Sequence, residues 1–240
     1  MQYGKVITFG CSITKDNWFD TWAVYLARHF DCRLDNYGER GSGYTFLLQK
    51  LLTIKLSTDN FYAIQWPACD RLDLWVNDAV PHLQNHLPLA IHNEDKGPSF
   101  VHYNGYSHTE GWFMTGTFPR GMKHEYYKRF YTQVAHVNHA WSTVVAVQNI
   151  LDHAGVDYIM FNAWPMKHPI QSHFDKNKNF NYKLYRKINF KKFVSNSRND
   201  GFMQFAQRGT YEWVDPAHPG TEAHRDYFKK KILPKVNVLY

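Results

Sequence analysis

Apolar residues in this chain come in short runs separated by stretches of helical spacing. Lys5 to Phe9 is short, apolar and β-branched, stops at Gly10, and predicts a buried strand. Trp18, Phe19, Trp22, Ala23, Leu26 and Phe30 then recur at spacings of three and four, the pattern of a helix with one packed face. Cys32 to Asn36 gives a second strand, followed by a glycine-rich loop at Gly38 to Gly43 and a helix around Tyr44 to Ile54. A third strand is predicted at Phe61 to Gln65. Alternation of this kind belongs to a parallel sheet with crossover helices.

Residues 67–124 break the rhythm, being rich in Pro, Gly, His and Asn, and predict an irregular insertion that shapes a pocket at one end of the sheet. Tyr126 to His153 holds no Gly or Pro and predicts a long helix ending before Gly155, with another buried strand at Val156 to Phe161. A second insertion is expected over about 165–200. Thr221 to Leu233 predicts a closing helix, bracketed by Pro219 and Gly220 before it and Pro234 after it. No internal repeat or low-complexity tract interrupts this order.

Length and composition narrow the picture. A chain of 240 residues, 44% of them hydrophobic, suffices for one substantial core, so residues 1–240 are expected to form a single domain. No apolar run approaches the roughly 20 residues of a membrane span. The N-terminus also lacks the basic start and apolar stretch of a signal peptide, so a cytoplasmic protein is expected. Cys11, Cys32 and Cys69 are odd in number and form no CxxC pair, which argues against a disulfide framework or a Cys-rich zinc site and suits a reducing compartment. The net charge of +7 is local: residues 176–193 carry seven cations and no acid, leaving 21 basic and 21 acidic residues elsewhere.

Three short segments carry candidate chemistry. Gly10-Cys11-Ser12-Ile13-Thr14 puts a serine just after the first strand, at the carboxyl edge where open α/β sheets bind ligands; a serine there also serves as a plain helix cap. Asn36 to Gly43 forms a glycine loop, which is either a simple turn or a source of backbone N–H groups for an oxyanion. Asp215-Pro216-Ala217-His218-Pro219 can bring a carboxylate to an imidazole on a compact turn, the arrangement that holds a general base in one tautomer; Asp-Pro is also common in ordinary turns.

In order and position these segments resemble the SGNH (GDSL-like) hydrolase superfamily. The Gly-Cys-Ser-Ile-Thr form resembles a divergent, often phage-encoded branch in which Cys stands for the usual Asp. The resemblance implies a three-layer α/β/α sandwich, flavodoxin-like, with a mostly parallel sheet of about five strands. It assigns Ser12 as nucleophile, Asp215 and His218 as acid and base, and the N–H groups of Ser12 and Gly41 as the oxyanion hole. It implies carboxylic ester hydrolysis with no cofactor, on a small-molecule or carbohydrate ester such as an O-acetylated sugar, with an anionic substrate or virion association compatible with it. One block departs. Where the family usually has Gly-x-Asn-Asp after the third strand, this chain reads Gln65-Trp66-Pro67-Ala68-Cys69-Asp70-Arg71, which removes an oxyanion donor and leaves Arg71 either as a substitute or as an ordinary surface or ion-paired arginine.

Other readings remain beside this one. Cys11 is a thiol next to the candidate nucleophile, but adjacent residues leaving a strand project in different directions. His82 and His86, and His136 and His139, have helical spacing, yet among fourteen histidines such pairs arise about as often by chance, and no metal is assigned. The same fold without catalysis gives a carbohydrate- or protein-binding module. Phe180, Tyr182, Tyr185 and Phe190, interleaved with cations, present either a nucleic-acid strip or a solvated lid over buried rings. Trp66, Trp112, Trp164 and Trp213 are either core residues or sugar platforms.

Overall fold

The computed structural model describes residues 2–15, 19–76, 100–101, 111–115, 129, 131–165, 180–195, 200–215 and 218–240. In chain order its main elements are β1 (Lys5–Gly10), α1 (Ser12–Lys15), α2 (Trp22–His29), β2 (Arg33–Gly38), α3 (Tyr44–Leu52), β3 (Asn60–Trp66), β4 (Leu72–Val76), β5 (Phe100–Val101) and β6 (Gly111–Thr115). They continue with α4 (Gln133–His153), β7 (Asp157–Asn162), α5 (Tyr182–Tyr185), α6 (Phe202–Arg208), β8 (Trp213–Asp215), β9 (His218–Pro219), α7 (Thr221–Tyr227) and α8 (Leu233–Leu239).

Four strands form a parallel sheet in the order β2-β1-β3-β7. The period of two along a strand divides one apolar run between two cores. On β3, Tyr62, Ile64 and Trp66 face a cluster with α3 and α4, whereas Phe61 and Ala63 face a second cluster with α2, α6 and α7. On β7, Tyr158 and Met160 face the first and Ile159 and Phe161 the second. This is the expected three-layer α/β/α sandwich. Truncating a fully buried member such as Phe161 to alanine costs about 3–5 kcal/mol.

The sheet has four strands among the described residues where about five were expected, and beyond β7 the chain adds a single parallel bridge. Phe193 pairs with Met160, and the Val194 N–H donates to Met160 O at 2.8 Å. Lower on the same strand, the Tyr240 hydroxyl accepts from the Tyr158 N–H and donates to Tyr158 O, both at 3.0 Å. These contacts occupy backbone groups along the β7 edge.

The expected helices shift at their ends. Within 126–153, helix α4 starts at Gln133, where Thr132 is extended and its side chain accepts the Ala135 N–H as an N-cap, and residues 126–128 and 130 lie outside the described residues. The first aromatic helix begins at Trp22, and Trp18 lies outside the described residues. The closing helix does not stop before Pro234. It passes through a π turn at Phe228–Ile232 and continues as α8, with Pro234 the second residue after the π turn, where the altered hydrogen-bond register accommodates its missing N–H.

Of the first insertion, β4, β5 and β6 form a small antiparallel sheet in the order β4-β6-β5. Residues 180–195 pack on α4. Phe180, Tyr185, Ile188 and Phe193 are buried in the first core, with Tyr182 and Phe190 against it, and Asn189 exchanges two hydrogen bonds with Gln148. The rings of the suspected strip are therefore interior packing. Lys183, Arg186, Lys187 and Lys191 remain exposed. No helix among the described residues is long and apolar enough to cross a membrane.

Candidate active site

Ser12 opens a one-turn helix at the carboxyl end of β1. The Cys11 carbonyl accepts the N–H groups of Thr14 and Lys15 at 2.9 and 3.1 Å, which fixes the turn and leaves the Ser12 N–H in the part of a helix that lacks intrahelical acceptors. Gly10 is required for close approach: a Cβ there would overlap Thr14 Oγ1 and lie 2.8 Å from Gln65 Oε1. Gln65, fully buried on β3, ties the turn to the sheet. Its Oε1 accepts from Cys11 N at 3.2 Å, Cys11 Sγ at 3.3 Å and Thr14 Oγ1 at 2.9 Å. The Cys11 side chain is thus buried and turned toward Gln65, not toward solvent beside Ser12.

The glycine loop is held against the same turn. Asn36 Oδ1 accepts from Thr8 Oγ1 and from the Gly38 N–H, and its Nδ2 donates to Thr14 O at 2.8 Å. Lys15 pairs with Glu39 at 2.5 Å. The Glu39 N–H and the Ser42 hydroxyl both donate to Gly10 O at 2.9 Å, and the Ser42 N–H closes a turn on Glu39 O at 3.2 Å. Gly41 is the third residue of that turn, with φ of 79°, a region that glycine enters without steric cost. Its N–H takes no part in the closing bond.

Asp215 and His218 come together on the short antiparallel pair β8–β9, where they are register partners. Asp215 Oδ2 lies 2.7 Å from His218 Nδ1, and His218 Nε2 lies 2.9 Å from Ser12 Oγ. A carboxylate accepting Nδ1–H leaves Nε2 unprotonated and able to accept the serine proton. Residues 206 positions apart in sequence meet here at hydrogen-bond distance. The side chain of Asp215 is 47% exposed and that of His218 is 27% exposed, so solvent screens their pairing.

Three further residues frame the site, of which the sequence marked only Arg71, through the block that departs after the third strand. His224 is 1% exposed; its Nδ1 accepts the Trp22 N–H at the start of α2, and its ring stacks on Phe202 at 4.5 Å. Burial, and secondly the neighbouring His218, push its pKa down to about 3, so it is neutral; a hydrogen bond to the Pro219 backbone opposes them. Arg71 donates to Ser42 O at 3.2 Å and lies over the Trp164 ring at 5.5 Å. Asp73, on β4, accepts from the backbone at the start of α3. Gln65 interrupts the apolar run of β3 between Ile64 and Trp66, and that signal could have marked it.

Among the described residues, the remaining candidates are not brought to the site as ligands or nucleophiles. Burial pushes the Cys69 thiol up to about 12 and raises Cys32 above its ordinary value, so neither is a ready thiolate. His139 contacts Thr45 at 3.2 Å, and no group of potential metal ligands occurs among the described residues. His82, His86 and Pro216 lie outside them. Trp66 is buried and stacked on Tyr44, which makes it core and not a sugar platform; the side chain of Trp112 lies outside the described part.

No protein-family model matches the sequence, and no curated protein matches it. Among solved structures, it is similar to a member of the lipolytic protein G-D-S-L family from Veillonella parvula DSM 2008. That alignment covers 96% of each chain at 13% identity, with a TM-score of 0.45.

Proposed function

We propose that this protein is a serine hydrolase acting on carboxylic esters. The observation that carries the reading is the continuous hydrogen-bonded sequence Ser12 Oγ, His218 Nε2, His218 Nδ1, Asp215 Oδ2, with steps of 2.9 and 2.7 Å. Ser12 Oγ attacks the ester carbonyl carbon while His218 Nε2 takes its proton, and Asp215 stabilises the imidazolium that forms. The N–H groups of Ser12 and Gly41 receive the negative oxygen of the tetrahedral intermediate. His218 then returns the proton to the leaving alcohol, and an acyl group remains on Ser12. Water, deprotonated by the same His218, releases the carboxylic acid and restores the serine. These residues complete the cycle without a cofactor.

The narrower substrate is an acetyl or other short acyl ester on a carbohydrate carrying negative charge. Half-buried Trp164 beside the Arg71 guanidinium suits a sugar face with an acidic group, and the exposed cations Lys183, Arg186, Lys187 and Lys191 suit a polyanion. The test is hydrolysis of a small activated acetate ester by the purified protein. Ser12→Ala should abolish it with the melting temperature within about 2 °C of wild type, since a half-buried hydroxyl is lost and no core volume. Turnover that survives Ser12→Ala refutes the assignment.

A further inference from the structure

Behind the Gly41 turn lies a buried carboxylate that the triad does not use. Asp73 is 7% exposed and belongs to β4, in the insertion that follows β3. Its Oδ1 accepts the Gly43 N–H at 2.6 Å, its Oδ2 accepts the Phe46 N–H at 3.0 Å, and the Thr45 N–H is a further donor to it. These are first-turn N–H groups of α3 and its cap, which have no acceptor within the helix. The cap residue itself is Gly43, with no side chain to supply one. A residue 30 positions downstream does so instead.

Gly43 is extended, with φ of −114° and ψ of −159°, a conformation open to any residue. What demands glycine is the carboxylate, because a Cβ there would lie 2.6 Å from Asp73 Oδ2. Two residues before Asp73, Arg71 donates to Ser42 O at 3.2 Å. Ser42 O and Gly43 N belong to one peptide unit. Its carbonyl is therefore held by a guanidinium and its N–H by a carboxylate, both from the start of one insertion, and a single peptide unit, Gly41–Ser42, separates it from the unit that carries the Gly41 N–H.

We propose that Arg71 and Asp73 are positioning residues for the oxyanion hole, clamping the Ser42–Gly43 peptide plane so that the Gly41 amide keeps one direction. The inference rests on the serine-hydrolase reading. It gives a role to the segment after β3 that has no Asn donor: the segment acts on the transition state through the loop it holds. Burial pushes the Asp73 carboxyl up to about 6 against the backbone donors and the facing Arg71. The clamp is intact when the carboxylate is charged and loses an acceptor when it is protonated.

The test uses the full chain and a small neutral acetate ester. Asp73→Asn puts an NH2 where an N–H needs an acceptor, and should lower kcat about 10- to 100-fold with KM within about twofold, the pattern of lost transition-state stabilisation. Arg71→Met should lower kcat in the same way, and the double variant should lose little beyond the worse single, because both act on one peptide. The acid limb of wild-type kcat should contain a component near pH 6 that Asp73→Asn lacks. If Asp73→Asn does not fold, Gly43→Ala displaces the carboxylate without changing it and should give the same kcat loss. Wild-type kcat and an unchanged acid limb in a folded Asp73→Asn or Gly43→Ala protein overturn the clamp alone. A wild-type protein without Ser12-dependent turnover overturns the hydrolase reading and the clamp together.

Discussion

The Cys11 thiol donates to Gln65 Oε1 at 3.3 Å, and the same oxygen accepts the Cys11 backbone N–H at 3.2 Å. One buried amide thus holds both groups of the residue before Ser12, and the thiol is used as a tether. Cys11→Ala should accordingly keep most of the ester turnover that Ser12→Ala abolishes. Gln65→Leu leaves the Cys11 N–H and Thr14 Oγ1 buried without that acceptor, and should destabilise the protein by about 1–3 kcal/mol for each group orphaned. Urea unfolding midpoints and ester assays on the same preparations check both. Turnover lost in Cys11→Ala and retained in Ser12→Ala would move the nucleophile to sulfur.

The contrast with the triad explains what the sequence made legible. Ser12, Gly41, Asp215 and His218 sit in short segments whose turn chemistry is local, so their neighbourhoods could be read before any contact was known. The strands β1, β3 and β7 were equally readable, because burial on both faces makes each a compact apolar run. Gln65, Asp73 and His224 act across 54, 30 and 202 positions, on backbone groups that carry no side-chain signal. The aromatics at 180–193 left two readings open for a related reason: interleaving with lysine is the same pattern whether rings face solvent or, as here, α4. The end of the last helix escaped because a π turn absorbs Pro234.

His224 should make the fold sensitive to acid. Its pKa is about 3 in the folded protein, against an ordinary value of 6.5. Between those values the unfolded chain binds a proton that the native protein refuses. The stability due to this residue is complete above about pH 6.5 and is lost as pH falls toward 3, a span worth up to about 5 kcal/mol. Urea unfolding at pH 7.5, 5.5 and 4 should show the decline, and His224→Gln, which does not titrate, should flatten it. Parallel curves for the two proteins would remove His224 as the source.

Asp73 should contribute with the opposite sign. Its folded pKa of about 6 stands above the ordinary 3.8, so the native protein holds the proton more tightly than the unfolded chain between those values. Its contribution is most favourable below about pH 3.8 and declines as pH rises to 6, by about 3 kcal/mol in all. Asp73→Asn should therefore gain stability relative to wild type as pH is raised from 4 to 7, even while its turnover falls. A stability difference independent of pH would mean that the carboxyl is not held charged against burial.

The exposed cations of 183–187 supply the last prediction. Lys183, Arg186 and Lys187 project from a segment whose aromatic side chains are anchored on α4, and no ion pair engages them among the described residues. Charges fixed on a packed base raise the local concentration of an anionic partner, and they act on encounter, not on the bond-making step. Replacing all three by Gln should lower kcat/KM for an acidic acylated saccharide about three- to tenfold at low salt. The same variant should hydrolyse a small neutral acetate ester at the wild-type rate. The difference should shrink as ionic strength rises, because exposed charges are screened over about 8 Å near 0.15 M salt. Equal loss on both esters would show that the segment supports the site by packing. Loss of single-stranded nucleic acid binding, with every ester rate unchanged, would assign these cations to a nucleic-acid partner and withdraw the anionic ester substrate.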